Sequence, residues 1–159
     1  MEQEQQLRDH LEKLMRMGQA FRPGEELLQG ISVQDAGKRV AGLPYTIWQL
    51  LEHLRFAQHD ILDFCRNPNY QTPEWPDDYW PAAEAPADQA ALDHTLQVIK
   101  QDLDAMVQLV QDTEQDLFAR IPHGNGQTLL REAMLVAEHN AYHLGQIVVL
   151  RRLHGKLTT

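Results

Sequence analysis

The sequence has little cysteine and little positive charge. Cys65 is the single cysteine among 159 residues, so a disulfide within the chain is impossible. The 14 lysines and arginines are outnumbered by 23 aspartates and glutamates, which gives a formal net charge of −9. Nucleic acids and anionic membranes bind clustered basic side chains, so we expect neither as the principal partner. A lone thiol on an apolar helix face indicates a buried, inert residue in a reducing compartment.

Other signatures are missing as well. There is no glycine-rich phosphate loop, no Gly-x-Ser-x-Gly nucleophile motif and no internal repeat. No apolar run approaches the length of a membrane span, and Met1 is followed by polar residues rather than by the apolar core of a signal peptide. A chain of this length supports one core of useful size but hardly two. We therefore expect a single cytoplasmic domain over residues 1–159.

What the sequence does contain is helical periodicity. Thr46 and Gln49 form a capping-box pattern, and Pro68 follows the end of the helix that they begin. The last apolar segment is apolar on almost every face, which predicts that it is the most buried helix. Apolar residues recur every three or four positions in four segments, which we predict to be helices one to four: residues 2–17, 46–66, 88–119 and 128–155.

The linkers between these segments set the topology. Residues 67–87 contain five prolines together with Trp75 and Trp80, so this segment cannot be a helix. Extended at about 3.3 Å per residue, it can return along the full length of helix two, which allows helices two and three to run parallel. Residues 122–127 form a short turn that makes helices three and four antiparallel. The predicted fold is all-α, a four-helix bundle with a long crossover between helices two and three, and the crossover is a candidate lid.

The last predicted helix carries His139 and His143, four residues apart. Side chains at this spacing lie above one another on one helix face, so both imidazoles can reach the same point. On an otherwise apolar stripe they require partners, and a shared metal ion is one such partner. The alternative is two core histidines with separate hydrogen bonds. The helical metalloprotease motif is excluded, because it needs a glutamate where Asn140 stands.

A third histidine is placed to join this pair. His53 lies on the shoulder of the apolar face of helix two, whereas His59 projects from the opposite, polar side. The alternative for His53 is an edge residue with its tip in water. His10 and His94 have no partner at a diagnostic spacing. A ferritin-like carboxylate site is excluded, because no Glu-x-x-His motif occurs.

Two segments resemble the DinB-like (DinB/YfiT) superfamily. They are Trp-Gln-Leu-Leu-Glu-His-Leu at residues 48–54 and His-Asn-Ala-Tyr-His-Leu-Gly-Gln at residues 139–146. The resemblance extends from about residue 43 to residue 155. It implies that His53, His139 and His143 bind a divalent metal in a four-helix bundle with a long crossover.

An open three-histidine site is typical of catalysis, because structural sites usually have four protein ligands. Imidazole suits zinc, nickel, iron or copper, and manganese is included among the expected ions. The resemblance further implies a thiol-dependent transferase or isomerase that acts on a small molecule with a low-molecular-weight thiol such as bacillithiol or mycothiol. Two alternatives remain: a metal-dependent hydrolase, and a non-enzymatic, stress-linked bundle that binds a metal or ligand.

Three further residues are candidates for a supporting role. Gln146, one turn beyond His143, can hydrogen-bond bound water or substrate, or pack between helices. Glu132 on the last helix and Asp60 on helix two each lie seven residues, about 10 Å along the axis, from the predicted ligand of their own helix. Each would therefore have to act on a histidine of another helix. A homodimer is also expected, since helical bundles often pair helix faces.

Overall fold

The computed structural model describes residues 2–157, and within this range it contains helices and no strand. The all-α prediction is confirmed. In chain order the elements are α1 Glu2–Arg16, α2 Gly24–Leu28, α3 Val33–Ala36, α4 Ile47–Arg66, α5 Gln89–Gln111 and α6 Leu129–Leu153. The short helices α2 and α3 lie in the connector between the long helices α1 and α4.

The four long helices pack as a bundle in which α4 and α1 each lie against both α5 and α6. Thr95 donates a hydrogen bond from its hydroxyl to Glu52 at 2.7 Å, and Gln58 donates to the carbonyl of Ile99 at 2.6 Å. The partners advance in the same direction along both helices, so α4 and α5 run parallel. Residues 67–88 between them form the long crossover.

Helix α6 runs antiparallel to α4. As α4 advances from Leu54 to Ile61, the α6 residues in the same apolar cluster move back from Leu144 to Ala137. Because α4 and α5 are parallel, α6 is also antiparallel to α5, as the short turn between them predicts. Helix α6 buries the larger number of residues, eleven of 25, but α4 buries the larger fraction, ten of 20. The outer face of α6 has no neighbouring helix in the described range and exposes large apolar side chains such as Met134 and Val149.

Helix starts follow the predicted capping chemistry, but one helix end does not. The Thr46 and Gln49 capping box is present. Helix three was expected to reach residue 119, yet α5 ends at Gln111. Asp112 accepts a hydrogen bond from the backbone N–H of Glu114, and Asp116 accepts one from that of Phe118. These local turns satisfy backbone donors and so compete with continued helix.

Two apolar clusters fill the bundle interior. One contains Ile61 of α4 and Ala137 of α6, and the other contains Leu54 of α4 and Leu144 of α6. The two clusters meet at His53 on α4, which directly precedes Leu54. On α6 they meet in the segment between Ala137 and Leu144. The packing therefore places this stretch of both helices inside the protein.

Within residues 2–157, no helix is both long and apolar enough to cross a bilayer.

A buried arginine joins α1 to the end of α5. Arg8 is 1% exposed, and its guanidinium donates to the carbonyls of Val110, Asp112 and Gln115 while pairing with Glu4. The last carbonyls of a helix have no partner within the helix and form the negative end of its dipole. Arg8 therefore satisfies the C-terminal end of α5 from a neighbouring helix.

Replacing this arginine tests its structural role. We expect Arg8→Met to lower the free energy of unfolding by roughly 2–4 kcal/mol, because buried carbonyls lose a charged donor. Urea denaturation followed by circular dichroism measures the change. Arg22→Met is the control, since Arg22 pairs with Glu26 at an exposed position where ion pairs contribute about 0–1 kcal/mol. Equal losses in the two variants would contradict the assignment.

Candidate metal centre

Three imidazole rings converge inside the bundle. His53 comes from α4, and His139 and His143 come from one face of α6, one turn apart. One ring nitrogen from each histidine lies within 4.8 Å of the other two, and the Nε2 atoms of His53 and His139 are 3.0 Å apart. His53 and His143 are 3% and 7% exposed, and His139 is half-buried. The structure thus brings the three predicted histidines together.

The hydrogen bonds of two rings determine which nitrogen faces the centre. His53 Nδ1 lies 2.9 Å from the carbonyl oxygen of Tyr79, and His143 Nδ1 lies 2.7 Å from Oε1 of Gln146. Both partners are acceptors, so in each ring Nδ1 carries the proton and donates it. The Nε2 atoms of both rings therefore present lone pairs. Gln146 in turn donates to the hydroxyl of Tyr45 at 2.8 Å.

The crossover also contacts the ring of His53. The ring of Trp80 stacks on His53 with centroids 4.0 Å apart and planes inclined by 5°. The neighbouring Tyr79 supplies the carbonyl that accepts the His53 proton. One dipeptide of the crossover therefore sets both the tilt of the ring and its tautomer.

An aspartate on α4 fastens the crossover in this position. Asp60 accepts hydrogen bonds from the hydroxyls of Tyr70 and Tyr79, both at 2.7 Å. Asp60 is seven residues after His53, too far along α4 for direct contact. It supports His53 through Tyr79, whose hydroxyl binds Asp60 and whose carbonyl binds His53.

Burial keeps the three imidazoles neutral near pH 7. Burial, followed by repulsion from the charged forms of His143 and His53, lowers the pKa of His139 to about 4. Burial also lowers the pKa of His53 and His143, against the opposing effect of their hydrogen bonds to Tyr79 and Gln146. Neutral imidazole is the form that binds metals.

The donor set fits a divalent ion of the transition series. The Nε2 atoms of His53 and His139 are 3.0 Å apart. Lone pairs on two nitrogens at this distance repel each other unless a proton or a cation lies between them. The Nδ1 atom of His139 is buried without a hydrogen-bond partner in residues 2–157, and so is Oδ1 of the adjacent Asn140. The amide nitrogen of Asn140 donates to Gln58 at 2.6 Å, which fixes this turn of α6 to α4. The half-satisfied polar cluster is held rigidly around three converging nitrogens.

A cavity of about 700 Å³ opens beside the histidines. Its walls come from α4, α6, the crossover and Tyr45, and they are mostly apolar or aromatic. A concave site with a few converging polar groups is typical of small-molecule binding. The lining residues are Tyr45, His53, Ala57, Asp60, Ile61, Trp75, Tyr79, Trp80, Leu135, Glu138, His139, Tyr142, His143 and Gln146.

Gln146 and Glu132, the other two residues expected to support the site, are placed differently from each other. Gln146 contacts His143 directly, so it orients a histidine, a role that its spacing alone did not identify. Glu132 is buried and pairs with Arg131 at 2.8 Å. It does not line the cavity, and burial raises its pKa. Glu132 therefore lies outside the histidine centre.

Three of the other histidines and the cysteine lie outside the centre. His59 points to the surface and binds Asp102 through Nδ1 at 3.0 Å, as its position on the polar face predicts. His10 and His94 are exposed. Burial, reinforced by Glu132, raises the pKa of the Cys65 thiol to about 12, which agrees with an inert residue.

Sequence reasoning missed Tyr45 and Tyr79 as site residues, whereas the lid hypothesis places Trp75 and Trp80 over the site. The aromatic content of the crossover did indicate that the segment packs against the bundle. It carried no period that could tell which aromatic residue meets His53.

Comparison with protein families gives a match over most of the chain. The family model described as the DinB superfamily matches residues 19–147, about four-fifths of the chain. This range includes all three histidines. No curated protein and no solved structure matches the chain.

The tautomers assigned above are directly measurable. In metal-free protein we expect His53 and His143 to carry their protons on Nδ1, because each Nδ1 faces an acceptor. Long-range ¹H–¹⁵N correlation spectra of the imidazoles distinguish the two tautomers. Exposed His59 is the reference within the same spectrum. A proton on Nε2 of either His53 or His143 would contradict the arrangement.

Proposed function

The chain belongs to the DinB superfamily, and from this premise we propose that His53, His139 and His143 bind a divalent metal ion that serves a thiol-dependent transferase. The observation that carries the proposal is the convergence of three neutral imidazoles at the wall of an aromatic cavity. Three protein ligands leave at least one coordination position for a small molecule, which is typical of catalytic sites.

The ligand chemistry narrows the choice of ion. Three imidazole nitrogens suit zinc, nickel or iron, and manganese is also acceptable, whereas magnesium and calcium prefer oxygen ligands. The bonds from His53 to Tyr79 and from His143 to Gln146 hold two rings with Nε2 unprotonated. The supporting residues thus prepare the donors before any ion binds.

The cavity supplies the rest of the proposed machinery. A bound divalent ion lowers the pKa of a coordinated thiol or water and so makes a nucleophile available near neutral pH. In the proposed transfer, the thiol sulfur forms a bond to an electrophilic carbon of the second substrate, the leaving group departs with its electron pair, and the thiol proton passes to solvent. Trp80, Tyr79 and Tyr45 form walls that exclude water and hold both reactants against the histidines.

Metal content provides the first test. After dialysis against buffer without added metal, we expect near-stoichiometric divalent metal in the tag-free protein by elemental analysis. The variants His53→Ala, His139→Ala and His143→Ala should each weaken affinity by more than about tenfold, since loss of a ligand exceeds the effect of losing an outer partner.

His59→Ala is the matched control, because His59 stands on the same helix as His53 but points to solvent. It should retain the metal of the parent. No metal in the parent, even after reconstitution with zinc, nickel or manganese, would overturn the proposal. Equal loss in His59→Ala would contradict the ligand assignment.

Turnover with thiols provides the second test. Metal-loaded protein should transfer bacillithiol, mycothiol or cysteamine to an activated aryl chloride, and His139→Ala should remove that activity. Chromatography of the thioether product measures the rate. Phenol and chloride formed from the aryl chloride at the same rate without thiol would favour a hydrolase. Bound metal with no turnover across these pairs would favour a non-enzymatic binding role.

A further inference from the structure

The cavity beside the histidines has a one-sided charge. Among its lining residues the formally charged side chains are Asp60 and Glu138, and no lysine or arginine takes part. The formal charge of the wall is therefore negative.

The two carboxylates differ in their partners. Asp60 is compensated by the hydroxyls of Tyr70 and Tyr79. Glu138 is exposed and forms no hydrogen bond or ion pair with a side chain in residues 2–157. Its carboxylate remains available to a ligand that enters the cavity.

Two exposed aromatic residues line the same cavity as Glu138. Tyr142 follows it by one turn on the same face of α6 and is 65% exposed. Trp75 belongs to the crossover and is 66% exposed. An exposed glutamate on a helix is ordinarily only solvated, and scattered exposed aromatics need no explanation. Here a free carboxylate and two exposed rings line one cavity that leads to the histidines.

Rings and a carboxylate around a cavity constitute the chemistry that recognises an ammonium group. A cation over the face of tryptophan or tyrosine is attracted by the ring quadrupole, and quaternary ammonium ligands are recognised in this way. The net charge of −9 adds a long-range field that draws cations toward the protein and repels anions.

We propose that the small molecule bound in this cavity carries an ammonium group, held by Glu138, Trp75 and Tyr142 while its other end faces the histidines. The inference rests on the proposed function in taking the cavity as the substrate pocket. It also names the substrate class: a cationic small molecule, an amino thiol or an amine-bearing electrophile, in preference to a partner with several carboxylates.

Three probes of the same shape and different charge test this inference. They are choline, its neutral isostere 3,3-dimethyl-1-butanol and the anion 3,3-dimethylbutanoate. Each is titrated into the full chain after chelation of metal, with tryptophan fluorescence and calorimetry as readouts. Removing metal prevents the anion from binding as a ligand, and it makes the outcome independent of whether the histidines bind an ion.

We expect choline to bind at least about threefold more tightly than the neutral isostere, and the anion to bind most weakly. Glu138→Gln and Trp75→Leu should weaken choline binding about threefold or more while leaving the affinity for the neutral isostere within twofold. Glu114→Gln, which removes an exposed carboxylate away from this cavity, should leave all three affinities unchanged.

The contrary results are equally defined. Equal affinity for choline and its neutral isostere, tighter binding of the anion, or no binding of choline at the solubility limit would each overturn the inference. Metal content of Glu138→Gln is measured in parallel. Choline binding in a protein that binds no metal would uphold this inference while the proposed function fails, and metal binding without charge preference would do the reverse.

Discussion

The contact between His53 and the crossover is the interaction on which the rest of the site depends. Helix α4 brings His53 to the bundle interior, but a helix position alone leaves both the ring tautomer and its tilt open. The carbonyl of Tyr79 and the indole of Trp80 determine them. These two residues reach His53 because α4 and α5 are parallel, so the chain must return along α4 before α5 can begin. The topology of the bundle and the geometry of the centre therefore have a common cause.

Burial of the three imidazoles gives the site its chemical character. Desolvation disfavours their charged forms, which leaves neutral donors whose lone pairs converge. The two apolar clusters meet around the histidines. Asn140 of α6 donates a hydrogen bond to Gln58 of α4, and Gln58 donates one to a carbonyl of α5, so the three helices are held together at this level. In the described range, Nδ1 of His139 is buried and has no hydrogen-bond partner. A buried polar atom without a partner lowers the free energy of unfolding, so the histidine cluster destabilises the fold. Stability elsewhere, including the cap that Arg8 places on α5, offsets that cost.

The sequence predicted the helical part of the site well, because helices have a period. His139 and His143 share a face by spacing, and a helical wheel separates His53 from His59. The resemblance to the DinB-like superfamily assigned the three histidines to one site. The same reasoning placed Glu132 on the histidine stripe, but seven residues of helix put it outside the cavity. The predicted end of α5 lies too far along the chain, at residue 119 instead of Gln111. The side chains of Asp112 and Asp116 form turns there, and apolar spacing does not reveal such turns.

The crossover was the part that spacing could not predict. Its prolines exclude a helix and its aromatics predict packing, yet a backbone carbonyl such as that of Tyr79 has no signature in sequence. The proposed ion would bind where one ring nitrogen from each of the three histidines converges. Anomalous diffraction at the absorption edge of the bound metal, from crystals of the metal-loaded protein, tests this most directly. We predict one peak bonded to Nε2 of His53, His139 and His143, at about 2.0–2.1 Å if the ion is zinc. A peak bound by other side chains, or no peak between the three rings, would contradict the account.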